Sequence, residues 1–265
     1  MADIQEDDMT QATLYESDDF IRIVKNRGTV PVSQIMSRTV LETRLSALYE
    51  PIGGGGTGWQ TVTETWTRTG NHTFTVVGDL TTKYHKGTKV RYKDGGSFEY
   101  GRVGSSAFSS PNTTVTLITN TDYAMAAATI TDTAISYQEN PQGDPGWFNW
   151  AASPTGFSAV PTNVNYRWTT NGRMITLAYS ESTAGTSNAT TFTATAPVVA
   201  ATIANMAWVA ALGTTFDNGA DLTTPGRCFI LSASSTITLR TNMASGAWTA
   251  GSTGKRAAFT LVYEF

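Results

Sequence analysis

Apolar side chains recur at every second position along much of this chain, and threonine often lies between them. From Phe259 to Phe265 the odd positions are aromatic or leucine, whereas the even positions are Thr260, Val262 and Glu264. A period of two puts successive side chains on opposite faces of a β-strand. The chain's 46 threonines also suit a half-exposed strand surface, and threonine is a poor helix former. The pattern predicts a mainly β protein.

Residues 1–56 are predicted to form an N-terminal anchor of one strand, one helix and a glycine linker. The run Phe20–Val24 is strand-like, Ser33 is a typical helix N-cap, and four consecutive glycines end the segment. Leu41, Leu45 and Leu48 follow spacings of four and three residues, which predicts an apolar stripe on the helix. A helix of about 17 residues is only marginally stable alone, so the stripe needs a partner. That partner is either the chain's own domain or the seam of a three-chain bundle.

Residues 57–147 are predicted to form a small antiparallel β-barrel or sandwich. Phe74 and Val76 alternate with threonines, and the string Asp94–Gly96 is a hairpin signal between two strand-like runs. Short strands at even spacing are typical of such closed or two-layered sheets.

Residues 148–265 are predicted to form a C-terminal jelly-roll-like β-sandwich. Its clearest hairpin signal is the pair Asn171–Gly172. A proline- and glycine-rich loop at the boundary with the preceding module carries Trp147, Phe148 and Trp150. These three rings are predicted to form a hydrophobic joint between the two β modules, and stacking on a sugar is the alternative interpretation.

Composition and charge exclude several classes of protein. One cysteine rules out an intrachain disulfide, and with only two histidines the chain lacks ligands for a Cys/His zinc site, so no metal or cofactor is predicted. A net charge of −3 argues against a basic nucleic-acid binder. The acidic N-terminus differs from a secretory signal, and no apolar run reaches about 18 residues. We therefore expect synthesis in a cytoplasm without a signal peptide, and no membrane insertion.

The reactive residue types do not form a catalytic pattern. His72 and His85 lie near turns or strand ends, and Cys228 lies in an apolar run where an unreactive buried thiol is usual. Asp217 and Asp221 share a glycine-bearing loop, where turn chemistry explains acidic and amide residues. A weak cation site there is the alternative, without the full calcium-loop pattern. A glycan depolymerase would need convergent carboxylates and a longer repeat-rich chain. The sequence predicts a structural or binding protein without catalytic residues.

Several strings carry a family resemblance, and they are Thr65–Thr67, Thr73–Val76, Gly78–Asp79, Gly87–Arg91, Ser110–Thr116 and, most specifically, Glu139–Phe148. Together they resemble a module that recurs in structural proteins of tailed bacteriophages. The run from Asp19 to Ser33 is similar to the first segment of phage tail-fibre proteins. The C-terminal strings Gly185–Thr193 and Phe259–Glu264 resemble the trimeric jelly-roll tips of such fibres.

The resemblance implies a non-enzymatic component of the virion surface, of the short trimeric tail-fibre or receptor-binding type. Its N-terminal part would attach to other virion proteins, and its C-terminal head would face a host surface glycan or protein. The apolar stretch Val198–Leu212 would be buried between the chains of the homotrimer. Trp208 and Trp248 are candidate receptor contacts because aromatic rings serve in recognition, although core packing is their commoner role. The short length leaves a capsid decoration or cement protein, or a head fibre, as the alternative.

Overall fold

The computed structural model describes residues 20–27, 30–37, 57–126, 129–251 and 253–265. The chain divides into two compact units, residues 1–56 and residues 57–265. Every element of regular secondary structure in these described ranges is a β-strand, and every strand pair is antiparallel. The predicted mainly β, antiparallel class is confirmed. The described residues contain no helix of the length and apolarity that crossing a membrane requires.

The described part of the first unit is a two-stranded hairpin. Strand β1 (Phe20–Arg27) pairs along its whole length with β2 (Val30–Ser37). The helix predicted to start at Ser33 is therefore wrong at its N-terminal end, because Ser33 lies within β2 opposite Val24. An N-cap residue is only a local signal, whereas the β-branched residues of β2 favour a paired strand. The predicted helix seam lies outside the described residues, at Leu41, Leu45 and Leu48.

The second unit begins with a seven-stranded sheet. Its strands are β3 (Gln60–Thr61), β4 (Thr67–Gly70), β5 (Thr73–Val77), β6 (Lys89–Asp94), β7 (Ser97–Ser109), β8 (Asn112–Leu117) and β9 (Ile130–Ser136). They lie in the order β3-β9-β6-β7-β8-β5-β4. The long strand β7 pairs first with β6 and then with β8, with an irregularity between Val103 and Ser105. The sheet can therefore curve around its own core, in which Trp66 stacks on Phe74 with ring centroids 4.0 Å apart.

An eleven-stranded sheet follows in the same unit. Its strands are β10 (Phe148–Asn149), β11 (Phe157–Ala159), β12 (Thr162–Asn171), β13 (Met174–Thr183), β14 (Gly185–Ser187), β15 (Thr193–Thr195), β16 (Ala207–Asp217), β17 (Ala220–Asp221), β18 (Arg227–Leu231), β19 (Thr236–Arg240) and β20 (Gly254–Glu264). The main path runs β10-β12-β13-β20-β16-β18-β19-β15.

Strand β16 divides this path into two layers of a sandwich. Its first half pairs with β18 from Ala207 to Ala211, and its second half pairs with β20 from Leu212 onward. The inward residues of both halves belong to one core cluster, which includes Trp168, Leu177 and Ile230. A strand that changes partners at a bend is a common way to turn the corner of a sandwich.

The hairpin signals are confirmed as turns between neighbouring strands. Asp94 pairs with Ser97 across the β6–β7 turn, and Asn171 pairs with Met174 across the β12–β13 turn. Gly172 has a φ of +57°, in the left-handed region that glycine adopts at low cost. The last residue, Phe265, is buried in the second core.

Candidate interaction surfaces

The aromatic residues predicted to join the two β modules lie at the start of the eleven-stranded sheet. Phe148 and Trp150 are buried, and Phe148 stacks on Trp168 with ring centroids 4.6 Å apart. Trp147 is half-buried, and the guanidinium carbon of Arg167 lies 5.6 Å from its ring centroid. The structure thus places two of the three rings in the core of the sandwich and the third at its surface.

Arg102 of β7 makes a buried polar contact between the two sheets. Its Nη1 and Nη2 donate to the two carboxylate oxygens of Asp144 at 2.9 and 2.7 Å, and its Nε donates to Thr170 of β12 at 3.2 Å. The Arg102 and Asp144 side chains are only 1% and 5% exposed. Burial lowers the pKa of the Arg102 guanidinium, whereas the charge and hydrogen bonds of Asp144 oppose that change. Sequence reasoning missed this pair because nothing local distinguishes a buried arginine from an exposed one.

The two histidines and the cysteine lie in different parts of the second unit, His72 between β4 and β5, His85 before β6 and Cys228 in β18. Burial lowers the pKa of His72, while His85 is exposed and stacks on Tyr137 with ring centroids 5.4 Å apart. Cys228 is buried in β18, and burial raises the pKa of its thiol to about 12. Among the described residues no group of three His, Cys, Asp or Glu side chains could hold a metal ion.

The acidic pair of the β16–β17 region does not converge on one site. Asp217 is buried and accepts hydrogen bonds from the amide and the hydroxyl of Thr249. Asp221 is exposed, and its nearest cation is Arg256 at 3.6 Å. The first carboxylate therefore anchors a loop, and the second forms a loose surface ion pair.

A second buried polar cluster lies inside the sandwich. Glu181 accepts hydrogen bonds from the Tyr166 and Tyr179 hydroxyls and from the Ala257 amide. Burial raises the pKa of Glu181 to about 7, and these hydrogen bonds oppose the rise. Lys255 is fully buried nearby on β20, and burial lowers its pKa to about 8.

Lys255 fastens one loop of the sandwich to β20. Its ammonium donates to the carbonyl oxygens of Ala189 and Thr191 at 2.9 and 2.8 Å. It also lies 4.9 Å from the ring centroid of Phe157. The cluster thus stabilises the interior of the sandwich and is closed to large ligands.

The two tryptophans considered as receptor contacts are core residues in the described chain. Trp208 is 8% exposed and lies opposite Ile230 on the inward side of β16. Trp248 is 1% exposed and donates its indole N–H to the Leu239 carbonyl at 2.9 Å. Each ring contributes its apolar area to the core.

The outer face of β16 and β18 carries exposed apolar side chains. Val209 and Leu231 are 51% and 52% exposed, and half-buried Phe229 lies opposite Val209. The loop before β16 adds exposed Ile203 and Met206. We call these five residues the apolar patch. The neighbouring outward positions of β19 and β15 are threonines, so the patch has a polar border.

A groove lies on the outer face of the other layer, where β16 bends away. Its volume is about 610 Å³. Two cross-strand rows line it, Arg167–Ala178–Thr260 and Asn165–Ser180–Ala258, each with one residue from β12, β13 and β20. Trp147 stands beside Arg167, and the strand β16 contributes Gly213. We call this the Arg167 groove. Sequence reasoning missed it, although Arg167 between two aromatic residues was the available signal.

No protein-family model and no curated protein sequence matches the chain.

Proposed function

We propose that the chain is a non-enzymatic structural protein of a tailed-bacteriophage virion, a homotrimeric fibre at the particle surface. In this proposal the N-terminal part attaches to other virion proteins, and the two-layered sandwich is a jelly-roll-like head for host attachment. The observation that carries the proposal is the apolar patch on the sandwich, because a lone chain leaves Val209 and Leu231 half in water. Interfaces of permanent oligomers are apolar like a protein core.

The buried polar contacts of the chain support a structural role. Arg102 is paired with Asp144, Glu181 accepts hydrogen bonds from two tyrosine hydroxyls, and Cys228 is buried. Such groups hold strands and loops in place, and they are poorly suited to attack a substrate. Antiparallel sheets with threonine-bearing outer faces also suit a particle component that must persist outside a cell.

Light scattering on the purified full chain tests the assembly. We expect the mass of a trimer, and we expect Val209→Asp or Leu231→Asp to give monomers, because either change puts a carboxylate into an apolar contact. Val77→Asp is the matched control, since Val77 is 76% exposed on β5 in the other sheet. A wild-type monomer at micromolar concentration would contradict the proposal, as would equal dissociation by all three substitutions.

Immunogold electron microscopy of virions that carry the chain tests its place in the particle. Label at the tail would support the fibre, and adsorption to host cells should then be blocked by the free trimer. Label spread over the head lattice would instead favour the alternative, a capsid decoration or cement protein or a head fibre. Absence of label from purified particles would contradict both roles.

A further inference from the structure

The Arg167 groove contains a cation without an acidic partner. Among the described residues that line it, Arg167 is the only charged side chain. The side-chain contact that the structure records for this guanidinium is with the Trp147 ring, at 5.6 Å. An aromatic face holds an arginine by cation–π attraction but accepts none of its N–H groups in their plane. The guanidinium is thus positioned in the groove with donors free for an anion.

The floor of the groove carries small side chains, and its edges carry polar ones. Ala178 and Ala258 lie on neighbouring strands in the middle of the floor, and small residues there leave room for a flat ligand. Asn165, Ser180 and Thr260 are exposed around them and offer one amide and two hydroxyls. These groups can both donate and accept hydrogen bonds.

The size of the groove suits a ligand of a few rings. From β12 to β16 there are three inter-strand spacings, or about 14 Å. The volume of about 610 Å³ lies within the range of small-molecule sites.

We propose that the Arg167 groove binds a saccharide that carries a carboxylate. The Arg167 guanidinium pairs with that carboxylate through two parallel hydrogen bonds, a geometry that arginine favours. Asn165, Ser180 and Thr260 bind the sugar hydroxyls, and the Trp147 indole borders the ring. The proposal rests on the proposed function only for its biological setting, where the acidic saccharide would belong to the host surface.

An acidic saccharide fits these groups better than an acidic peptide does. The floor residues Ala178 and Ala258 form no deep apolar pocket for a peptide side chain, whereas hydroxyl-bearing rings match the polar edge. The single arginine also suits a sugar ring that presents one carboxylate to it better than it suits a peptide that presents several.

Calorimetric titration of the full chain with trigalacturonic acid tests the proposal. The fully methyl-esterified form of this trisaccharide is the matched control ligand, since its carboxylates are replaced by uncharged esters. We expect the acid to bind at least about tenfold more tightly than the ester, because a charge-assisted pair contributes more than a neutral contact. We also expect binding to weaken as salt rises.

Three variants locate the site. Arg167→Gln should weaken binding of the acid at least about tenfold and leave the ester unaffected. Ala178→Tyr should block both ligands by filling the floor. Arg173→Gln is the control, because Arg173 is an exposed arginine in the β12–β13 turn, outside the residues that line the groove. Thermal unfolding of each variant shows whether the fold persists, and Arg167→Gln remains decisive if Ala178→Tyr does not fold.

Several outcomes would overturn the proposal. These are equal affinity for acid and ester, unchanged binding by Arg167→Gln, or equal binding of a tri-glutamate peptide. Loss of the trimer in Ala178→Tyr would show that a second copy of the chain covers the groove, and would also overturn it. Binding of the acid by a chain that is monomeric or missing from virions would support the groove and contradict the proposed function. A trimer that is present in virions but binds no acidic saccharide would support the proposed function and contradict the groove proposal.

Discussion

Arg102 and Asp144 form a two-point ion pair in the interior of the second unit, with N–O distances of 2.9 and 2.7 Å. The two residues are 42 positions apart in the sequence. Arg102 lies in the seven-stranded sheet, and Asp144 lies in the loop that leads to β10. Each charge is removed from water, so each depends on the other for its stabilisation.

Asp144→Asn should strongly destabilise the protein. The change leaves the Arg102 guanidinium buried without an anion, and we expect the free energy of unfolding to fall by about 3 kcal/mol or more. Urea unfolding followed by tryptophan fluorescence measures the loss. Asp221→Asn is the control, because its pair with Arg256 is loose and exposed, and it should cost less than about 1 kcal/mol. Similar losses in both variants would show that the buried pair is not important for stability.

The contribution of Glu181 to stability should fall as the pH rises from about 4.5 to about 7. The pKa of Glu181 is about 7 in the folded chain and 4.5 as its ordinary value, because burial disfavours the carboxylate. In this window the folded state keeps a proton that the unfolded state has lost, so raising the pH favours unfolding. The contribution of this group amounts to about 3 kcal/mol across the window, at about 1.4 kcal/mol per pKa unit.

The comparison of Glu181→Gln with the wild type isolates this contribution. His72, whose lowered pKa acts in the opposite direction, is present in both proteins, and Lys255 with a pKa of about 8 changes charge above the window. Urea unfolding at pH 4.5 and pH 7 should show a smaller loss of stability on raising the pH for Glu181→Gln. The exposed Glu139→Gln should keep the wild-type loss. An unchanged pH dependence in Glu181→Gln would contradict the assignment.

Gly87→Ala should cost more stability than Gly78→Ala. Both glycines have a positive φ, +83° and +93°, so alanine is strained at each by about 1 kcal/mol. A methyl group at Gly87 would also lie 2.2 Å from the Gly172 carbonyl oxygen, whereas at Gly78 nothing lies within 4 Å. We expect an additional loss of about 1–3 kcal/mol at Gly87, from thermal or urea unfolding. Equal losses would mean that the two β modules can separate at this contact without cost.

Local features account for what could be predicted from the chain. Alternation and turn residues act over two to four positions, so the β6–β7 and β12–β13 hairpins followed from the sequence. The same range explains the error at Ser33. Its side chain matches a helix N-cap, but the pairing of β2 with β1 decides the conformation there, and pairing depends on a second strand.

The candidate sites could not be predicted from the sequence, because segments that are distant in the chain form them. Trp147 and residues of strands β12, β13, β16 and β20 line the Arg167 groove. The shape of the groove depends on which of these strands are neighbours in the sheet. The burial of Trp248 and the pairing of Arg102 with Asp144 depend on the packing of whole sheets. Backbone period and turn chemistry are properties of short strings of residues, so the amino-acid order specifies the strands and their tight turns. Burial, ion pairing and groove shape arise from surfaces that meet only after the sheets have packed, so they emerge in the folded chain.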